Sequence, residues 1–548
     1  MKKTLKTKSN KMSLKEFIWY GFNFVVSASF VNYYALAANA SANGGGLGFY
    51  AILVWIIGGL FAFICVKAFA RMSQVHDASQ NGASYVYARS TFGRMTGLLV
   101  GFLQYAYLPF SITFTIMVCF KGSFAEPFVS QASAGVWGPF NDLWMDLIGI
   151  GIFVICAVAV SFGMKWFKRI GSASGIVKWL TFFIMIIAAL YIACAGAPNN
   201  PVVDGKPVDV GNAGHNLAVW AANSHFKFGW FIKAFNSSFF AFVGCELVIT
   251  AGKNIENPNK NISKGLAITM LIASLFYVFF CFLLFMSSTP NWLPESYNIS
   301  IFDVFVPWLQ KFGMIVAIIG VIFSRLITFV SKTLYGGTVL QPLSKEGFIS
   351  ERFGQLGKDD MPISAIKLNI ILILCSCSLF LIIPDIIKGS LIASNHFDQN
   401  QVFFDMSGLS SFASLITLIV YFMVVLCTLW LTKQKKIKCK FWEIIGYFIA
   451  EALVIVVLVY HFYDLINGVV TSTTNWINKV GKDPLSDFIK AITKISIELF
   501  SLVLVFSLFF INYFTYYKRK LLSRTKAQQK KLDAPFRLLT LSEQKRLD

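Results

Sequence analysis

Charge is scarce in this sequence. Of its 548 residues only 14% are Asp, Glu, Lys or Arg, histidine occurs five times, and 56% are apolar. A water-soluble domain carries roughly a quarter charged residues. So much apolar chain finds no room in a soluble core, and lipid is the expected solvent for most of it. The sequence has no paired His/Glu metal motif, no nucleophile elbow and no nucleotide-binding loop, which leaves little for hydrolytic or phosphoryl-transfer chemistry. No enzymatic activity, metal or cofactor is therefore expected. The ten cysteines are scattered, mostly inside apolar runs (Cys65, Cys119, Cys156, Cys281, Cys375, Cys377, Cys427), and read as small apolar fillers.

What charge there is has a pattern. The net charge of +21 sits in short clusters between apolar runs, not on one domain as a nucleic-acid footprint would. Continuous apolar runs near 17–37, 47–69, 96–119, 143–162, 174–195, 232–251, 266–287, 312–340, 366–384, 408–431, 442–463 and 495–514 are each long enough to cross a hydrocarbon core of ~30 Å as a helix. They are unbroken rather than alternating, so the expected fold class is an all-α integral membrane protein of about twelve transmembrane helices, not a barrel. Lys2 and Lys3 ahead of an apolar stretch, with Ala35-Leu36-Ala37 beyond it, resemble a signal peptide. The stretch is long for one and carries Asn23, Ser27, Ser29 and Asn32, so it is read as a retained first span.

Lysine and arginine collect in alternate connections: Lys2 to Lys15, Arg71 to Arg94, Lys165 to Arg169, Lys253 to Lys264, Lys345 to Lys358, Lys433 to Lys440, and the tail from Lys518. The intervening loops hold acids such as Glu126, Asp204, Asp209 and Glu295. The positive-inside rule then places both termini in the cytoplasm of a multi-pass protein of the cell membrane. The outer loop 196–231 and the tail are too short to bury cores of their own.

Carriers need polar groups at mid-membrane, and interrupted helices supply them as unpaired peptide N–H and C=O groups. Two small, polar interruptions stand out, Val26-Ser27-Ala28-Ser29-Phe30 in the first span and Asn236 to Gly244 in the sixth. Small residues also serve ordinary helix packing. Lys178, Glu246, Arg325 and Glu451 lie within apolar runs, where an ionisable group costs roughly 2.5–3.5 kcal/mol on insertion scales and usually faces a cavity, a partner or a pathway. Lys67 and Lys332 are expected nearer the cytoplasmic ends, reaching out to the interface.

Three stretches resemble the amino acid–polyamine–organocation superfamily of amino acid permeases. Asn81-Gly82-Ala83-Ser84-Tyr85-Val86-Tyr87-Ala88-Arg89, then Phe92-Gly93, is similar to the signature before that family's third helix. Gly163 with Lys165, Arg169 and Lys178 is similar to its Arg-Gly-x-Lys pattern and fifth-helix lysine, with Phe162 in place of the leading Arg. Phe239 to Glu246, followed by Lys253, Asn257-Pro258 and Asn261-Ile262, resembles the sixth helix and the loop after it. Weaker echoes are Gly45-Gly46 and Ser344-Lys345-Glu346-Gly347. The likeness covers roughly the first two-thirds of the chain. It departs at Ser27-Ala28-Ser29, where the family has Gly-Ser-Gly followed by proline, at Thr338, where an Arg is usual, and at Pro342.

The resemblance implies a leucine-transporter-type fold, two inverted five-helix repeats plus two peripheral helices. The chain then divides into a cytoplasmic segment (1–16), a first repeat (17–195), an extracellular loop (196–231), a second repeat (232–431), two peripheral helices (432–514) and a basic cytoplasmic tail (515–548). It implies secondary transport of an amino acid by alternating access, as proton symport or exchange. Peptide N–H groups at Ser27, Ala28 and Ser29 would take the carboxylate, and carbonyls at Phe239, Phe240, Ala241 and the adjoining Phe242 the ammonium, with the Phe240 ring as a lid. Lys178 would tie the fifth helix to the broken first, as a proton site or a purely structural lysine. Glu246 would gate the inner side, relay protons, or pair with a loop lysine. Arg325 lies 12 residues past Gly313, about 18 Å along a helix. It suits either an acidic amino acid or an internal pair with Glu246 or Glu451, the latter slightly favoured. The partners expected are the amino acid, protons and the lipid bilayer, with no nucleic acid, as a monomer or homodimer. A polyamine or nucleobase carrier is the alternative within transport, with Glu246 as its acid, and a membrane-embedded sensor or lipid-modifying enzyme the alternative outside it.

Overall fold

The computed structural model describes residues 11–26, 46–117, 138–203, 205–242, 244–292, 301–357, 360–396, 407–481 and 484–539. Among these, ten helices are long and apolar enough to cross a membrane. Two shorter interrupted segments fill the first and sixth places in the order. The helices are α1 (Leu14–Val25), α2 (Ala51–Val75), α3 (Ala83–Phe92), α4 (Arg94–Met117), α5 (Asn141–Ser161), α6 (Met164–Ala195), α7 (Ala213–Ala222), α8 (Phe228–Phe239) and α9 (Cys245–Val248). They continue with α10 (Pro258–Ser287), α11 (Pro307–Glu346), α12 (Ile363–Cys377), α13 (Ile383–Ala393), α14 (Ser407–Lys433), α15 (Phe441–Ile477), α16 (Pro484–Ile511), α17 (Lys518–Leu522) and α18 (Lys526–Asp533). A π-helical turn joins α12 to α13 into the ninth span. The connection between α6 and α8 carries a hairpin of two-residue strands, β1 (Val202–Val203) with β2 (Lys206–Pro207), followed by α7.

Several helices run well past their apolar stretches. The fifth begins at Met164 rather than 174, and the eleventh reaches Ile477 rather than 463. Hydropathy marks where lipid is, whereas the hydrogen-bond ladder continues into water until a residue stops it. Glycines with positive φ do that at the connections: Gly93 (φ 92) between α3 and α4, and Gly163 (φ 119) between α5 and α6. Pro258 at the first position of α10 sacrifices an N–H that had no intrahelical partner anyway.

The packing has a hidden symmetry. The fifth span lies along the eighth (α6 on α11) and the tenth along the third (α14 on α4). The first lies on the seventh (α1 on α10) and the sixth on the second (α8 on α2), while the fourth meets the eighth and the ninth meets the third. Adding five to each place in the order turns one pairing into the other, and the second–seventh pair (α2 on α10) maps onto itself. Five crossings is an odd number, so equivalent spans point in opposite directions, which is the inverted repeat expected of the sequence. The eleventh and twelfth spans (α15, α16) pack on each other and on the tenth. They leave residues such as Trp442, Ile449, Val459 and Val503 exposed, the surface a bilayer covers.

The basic tail is docked, not loose. Glu346, at the end of the eighth span, accepts Arg89 Nη2 (2.8 Å) and the hydroxyls of Tyr517 (2.8 Å) and Tyr85. Asp533 on α18 pairs with Arg89 and Arg94, each at 2.8 Å, and the Phe536 ring lies under the Arg89 guanidinium. Leu539 N–H donates to Val75 O, at the end of the second span. The half-exposed Glu351 accepts Lys520 and Arg524, both at 2.7 Å. These cations, Lys520 foremost, hold its carboxyl below the usual range. A depressed carboxyl stabilises the docked state at pH above its unfolded value and loses that contribution as pH falls through the folded one. Hydrogen exchange across 518–533, corrected for intrinsic rates, should therefore accelerate on acidification through that window. Glu351→Gln should remove this component, and identical profiles for both proteins would contradict the assignment.

Candidate functional site

α1 opens on a capping box, Ser13 with Glu16, and runs for 12 residues, about 18 Å, too short for a ~30 Å core. At Val26 (φ −79, ψ 84) the backbone leaves the helix. Its last carbonyls thereby lose their intrahelical donors. A lysine supplies them: Lys178 on α6, wholly buried, donates from Nζ to Asn23 O (3.0 Å) and Val26 O (2.7 Å). A cation at a helix C-terminus also meets the negative end of the dipole. The Trp179 indole donates to Asn23 Oδ1 (2.8 Å) and packs against the Lys178 ammonium, 4.9 Å from the ring centroid. Ser27, Ala28 and Ser29, expected as carboxylate donors, lie outside the described residues.

The sixth span is broken where the small residues suggested. α8 ends at Phe239, Phe240–Phe242 form a 3-10 turn, Gly244 takes φ 133 and ψ −28, and α9 makes a single turn. Only glycine occupies that backbone region without strain. A Cβ at Gly244 would also sit 3.0 Å from the Phe24 ring. Gly244→Ala should therefore cost about 1–3 kcal/mol, read as a lowered melting temperature in detergent. An unchanged melt would contradict the strained backbone.

The two breaks meet. Tyr277, buried on α10, directs its hydroxyl at Val25 O (3.0 Å) and Ala241 O (2.7 Å), one from each interrupted span. The rings beside the expected carbonyls are packed between helices. The Phe239 ring packs on Phe61 and Tyr421, and Phe242 on Trp55 and Tyr277, all buried between helices. Phe240 contributes its backbone to the turn.

Glu246 opens α9 and is buried. Its Oε1 accepts from Tyr107 (2.8 Å), and its Oε2 from Tyr421 (2.6 Å) and the Gly244 N–H (2.8 Å). Gln104 donates to its carbonyl (3.3 Å). The third, sixth and tenth spans thus converge on one carboxylate, and no loop lysine takes part among the described residues. Both carboxylate oxygens of Glu451 lack a hydrogen-bond partner among the described residues. Among the described residues no ion pair joins Arg325 to either acid. Arg325 is buried on α11, facing the bundle.

Lys332 departs from expectation. It does not reach out to the interface but lies buried on α11, donating to Ser111 Oγ on the third span (2.5 Å). Sequence reading placed it by its distance from the end of the apolar run. The better signal was its spacing of seven residues from Arg325, which puts both on one helix face. Tyr107, Tyr277 and Tyr421 were missed because a tyrosine in an apolar run looks like packing. Their hydroxyl partners are remote in sequence.

A family model described as amino acid permease matches residues 17–481. Among curated relatives, a provisionally named histidine permease of Bacillus subtilis is 26% identical over 333 residues, covering 58% of this chain and 62% of its own length. An L-asparagine permease of Salmonella typhimurium is 21% identical over 341 residues, covering 61% and 62%. A branched-chain amino acid permease of Bacillus subtilis is 25% identical over 227 residues, covering 38% and 43%. The chain thus spans less than two thirds of the length of each of these three relatives.

Proposed function

The chain belongs to the amino acid permease family, and from that premise we propose that it carries an amino acid across the cell membrane by alternating access. The observation that carries this reading is the meeting of two interrupted spans at the Tyr277 hydroxyl. There, helix ends deep in the bundle offer bare peptide groups to a small zwitterion. The solute's carboxylate lies toward the N–H groups of Ser27 to Ser29, its ammonium toward the sixth-span turn at Phe239 to Phe242, and the Phe240 ring lids it. Lys178 fixes the inner half of the first span. Glu246, shared by three spans, senses their relative positions and gates the inner side. The coupling is proton symport or exchange, both termini face the cytoplasm, and the chain divides into repeats 17–195 and 232–431.

Polyamine carriage loses its main support, because the acid it needs is already occupied by three protein donors. The test is uptake of radiolabelled amino acids into liposomes holding the purified protein, competed by each amino acid in turn, with and without a pH gradient. Saturable uptake with competition supports the reading. Absence of uptake and of exchange under every gradient would overturn it.

A further inference from the structure

Lys332 is buried, at 7% exposure, and its ammonium carries three N–H donors. Among the described residues Ser111 Oγ is its one hydrogen-bond acceptor, so two donors remain open inside the bundle. The charges that act on it are Arg325 and Glu246. Glu246 does not close the gap, since its carboxylate is filled by Tyr107, Tyr421 and the Gly244 N–H and forms no ion pair with Lys332. Arg325 lies on the same helix. It precedes Lys332 by seven residues, just under two turns and about 10 Å along α11, so the two cations share a face of the helix. A buried ammonium with only a hydroxyl beside it is costly unless an anion visits.

We propose that Lys332 is a specificity-determining residue, receiving the side-chain carboxylate of an acidic amino acid. This rests on the permease reading and names its substrate class. The permease reading assigns the α-carboxylate to the first-span break, beside the carbonyls that Lys178 occupies. The second carboxylate of glutamate or aspartate then completes the hydrogen bonds that Ser111 leaves open. Recognition by buried donors discriminates strongly, because a neutral analogue leaves them unpaired.

The test uses the full chain in liposomes, comparing radiolabelled glutamate and aspartate with glutamine and asparagine. The wild type should prefer the acidic member of each pair by at least tenfold in kcat/KM. In Lys332→Met the acidic-to-neutral ratio should fall at least tenfold, and Lys332→Arg should restore part of it. If Lys332→Met does not fold, the wild type still decides. Its melting temperature in detergent should rise with glutamate more than with glutamine at equal concentration. Uptake of neutral amino acids without competition by glutamate overturns this proposal and leaves the permease reading intact. Absence of any amino acid transport overturns that reading and this proposal with it.

Discussion

Glu246→Ala should abolish uptake and lower stability more than any other single change considered. The substitution strands three donors, the hydroxyls of Tyr107 and Tyr421 and the Gly244 N–H. A buried donor left without its acceptor costs about 1–3 kcal/mol, and bonds to a charged acceptor lie at the upper end. Glu246 and both tyrosines are buried, so a stranded donor is not left at the protein surface. Glu246→Gln separates packing from charge. Its amide oxygen can keep Tyr421 and Gly244, and its NH₂ can face Tyr107, whose hydroxyl rotates to accept. The Gln variant should therefore melt within a few degrees of the wild type, while the Ala variant loses its cooperative transition. Transport then decides the role: a carboxylate needed for gating or proton relay predicts a well-folded but inactive Gln variant. Full activity in it would reduce Glu246 to architecture.

Lys178→Met is expected to be the second severe lesion, with uptake down by at least 100-fold. Methionine matches the length of the lysine stem but returns Asn23 O and Val26 O to the orphan state, at the negative end of the α1 dipole. Two carbonyls losing charge-assisted bonds cost about 1.5–3 kcal/mol each. The lesion falls on the join between the first and fifth spans, so the first span should loosen before the bundle unfolds. Cysteine labelling along α1 would show this as increased reactivity at Phe22 or Phe24 substituted by cysteine. Undiminished uptake, or labelling no faster than in the parent, would remove Lys178 from its proposed role.

How much was legible beforehand follows from the range of each interaction. Membrane spans are local in sequence, and runs such as 408–431 and 96–119 lie within two residues of α14 and α4 at each end. The sixth-span break was legible because Gly244 and the small residues before it are a local signal. The first-span interruption, read at Val26 to Phe30, begins where α1 ends, at Val25, and carbonyls at that end accept from a lysine on another helix. That lysine was legible as a charge inside an apolar run, but its tie to the first span only through family resemblance. The tyrosine partners of Glu246 were not legible at all, since Tyr421 and Glu246 are 175 residues apart and their meeting is a product of packing. Lys332 shows the opposite failure. Distance from the end of an apolar run was taken for depth, but α11 runs for 40 residues, about 60 Å, so its ends lie far outside the core and position along it says little about burial.

The docked tail has a consequence for biosynthesis. Asp533, Phe536 and Leu539 follow every membrane span in chain order, and they grip Arg89, Arg94 and Val75 from the second and third spans and their connection. Until translation passes Leu539, this end of the bundle stands unfastened. A chain cut short between the twelfth span and Asp533 would keep the described spans and still lack the clip across that rim, and a bulky tag fused close behind Leu539 would press on that same clip.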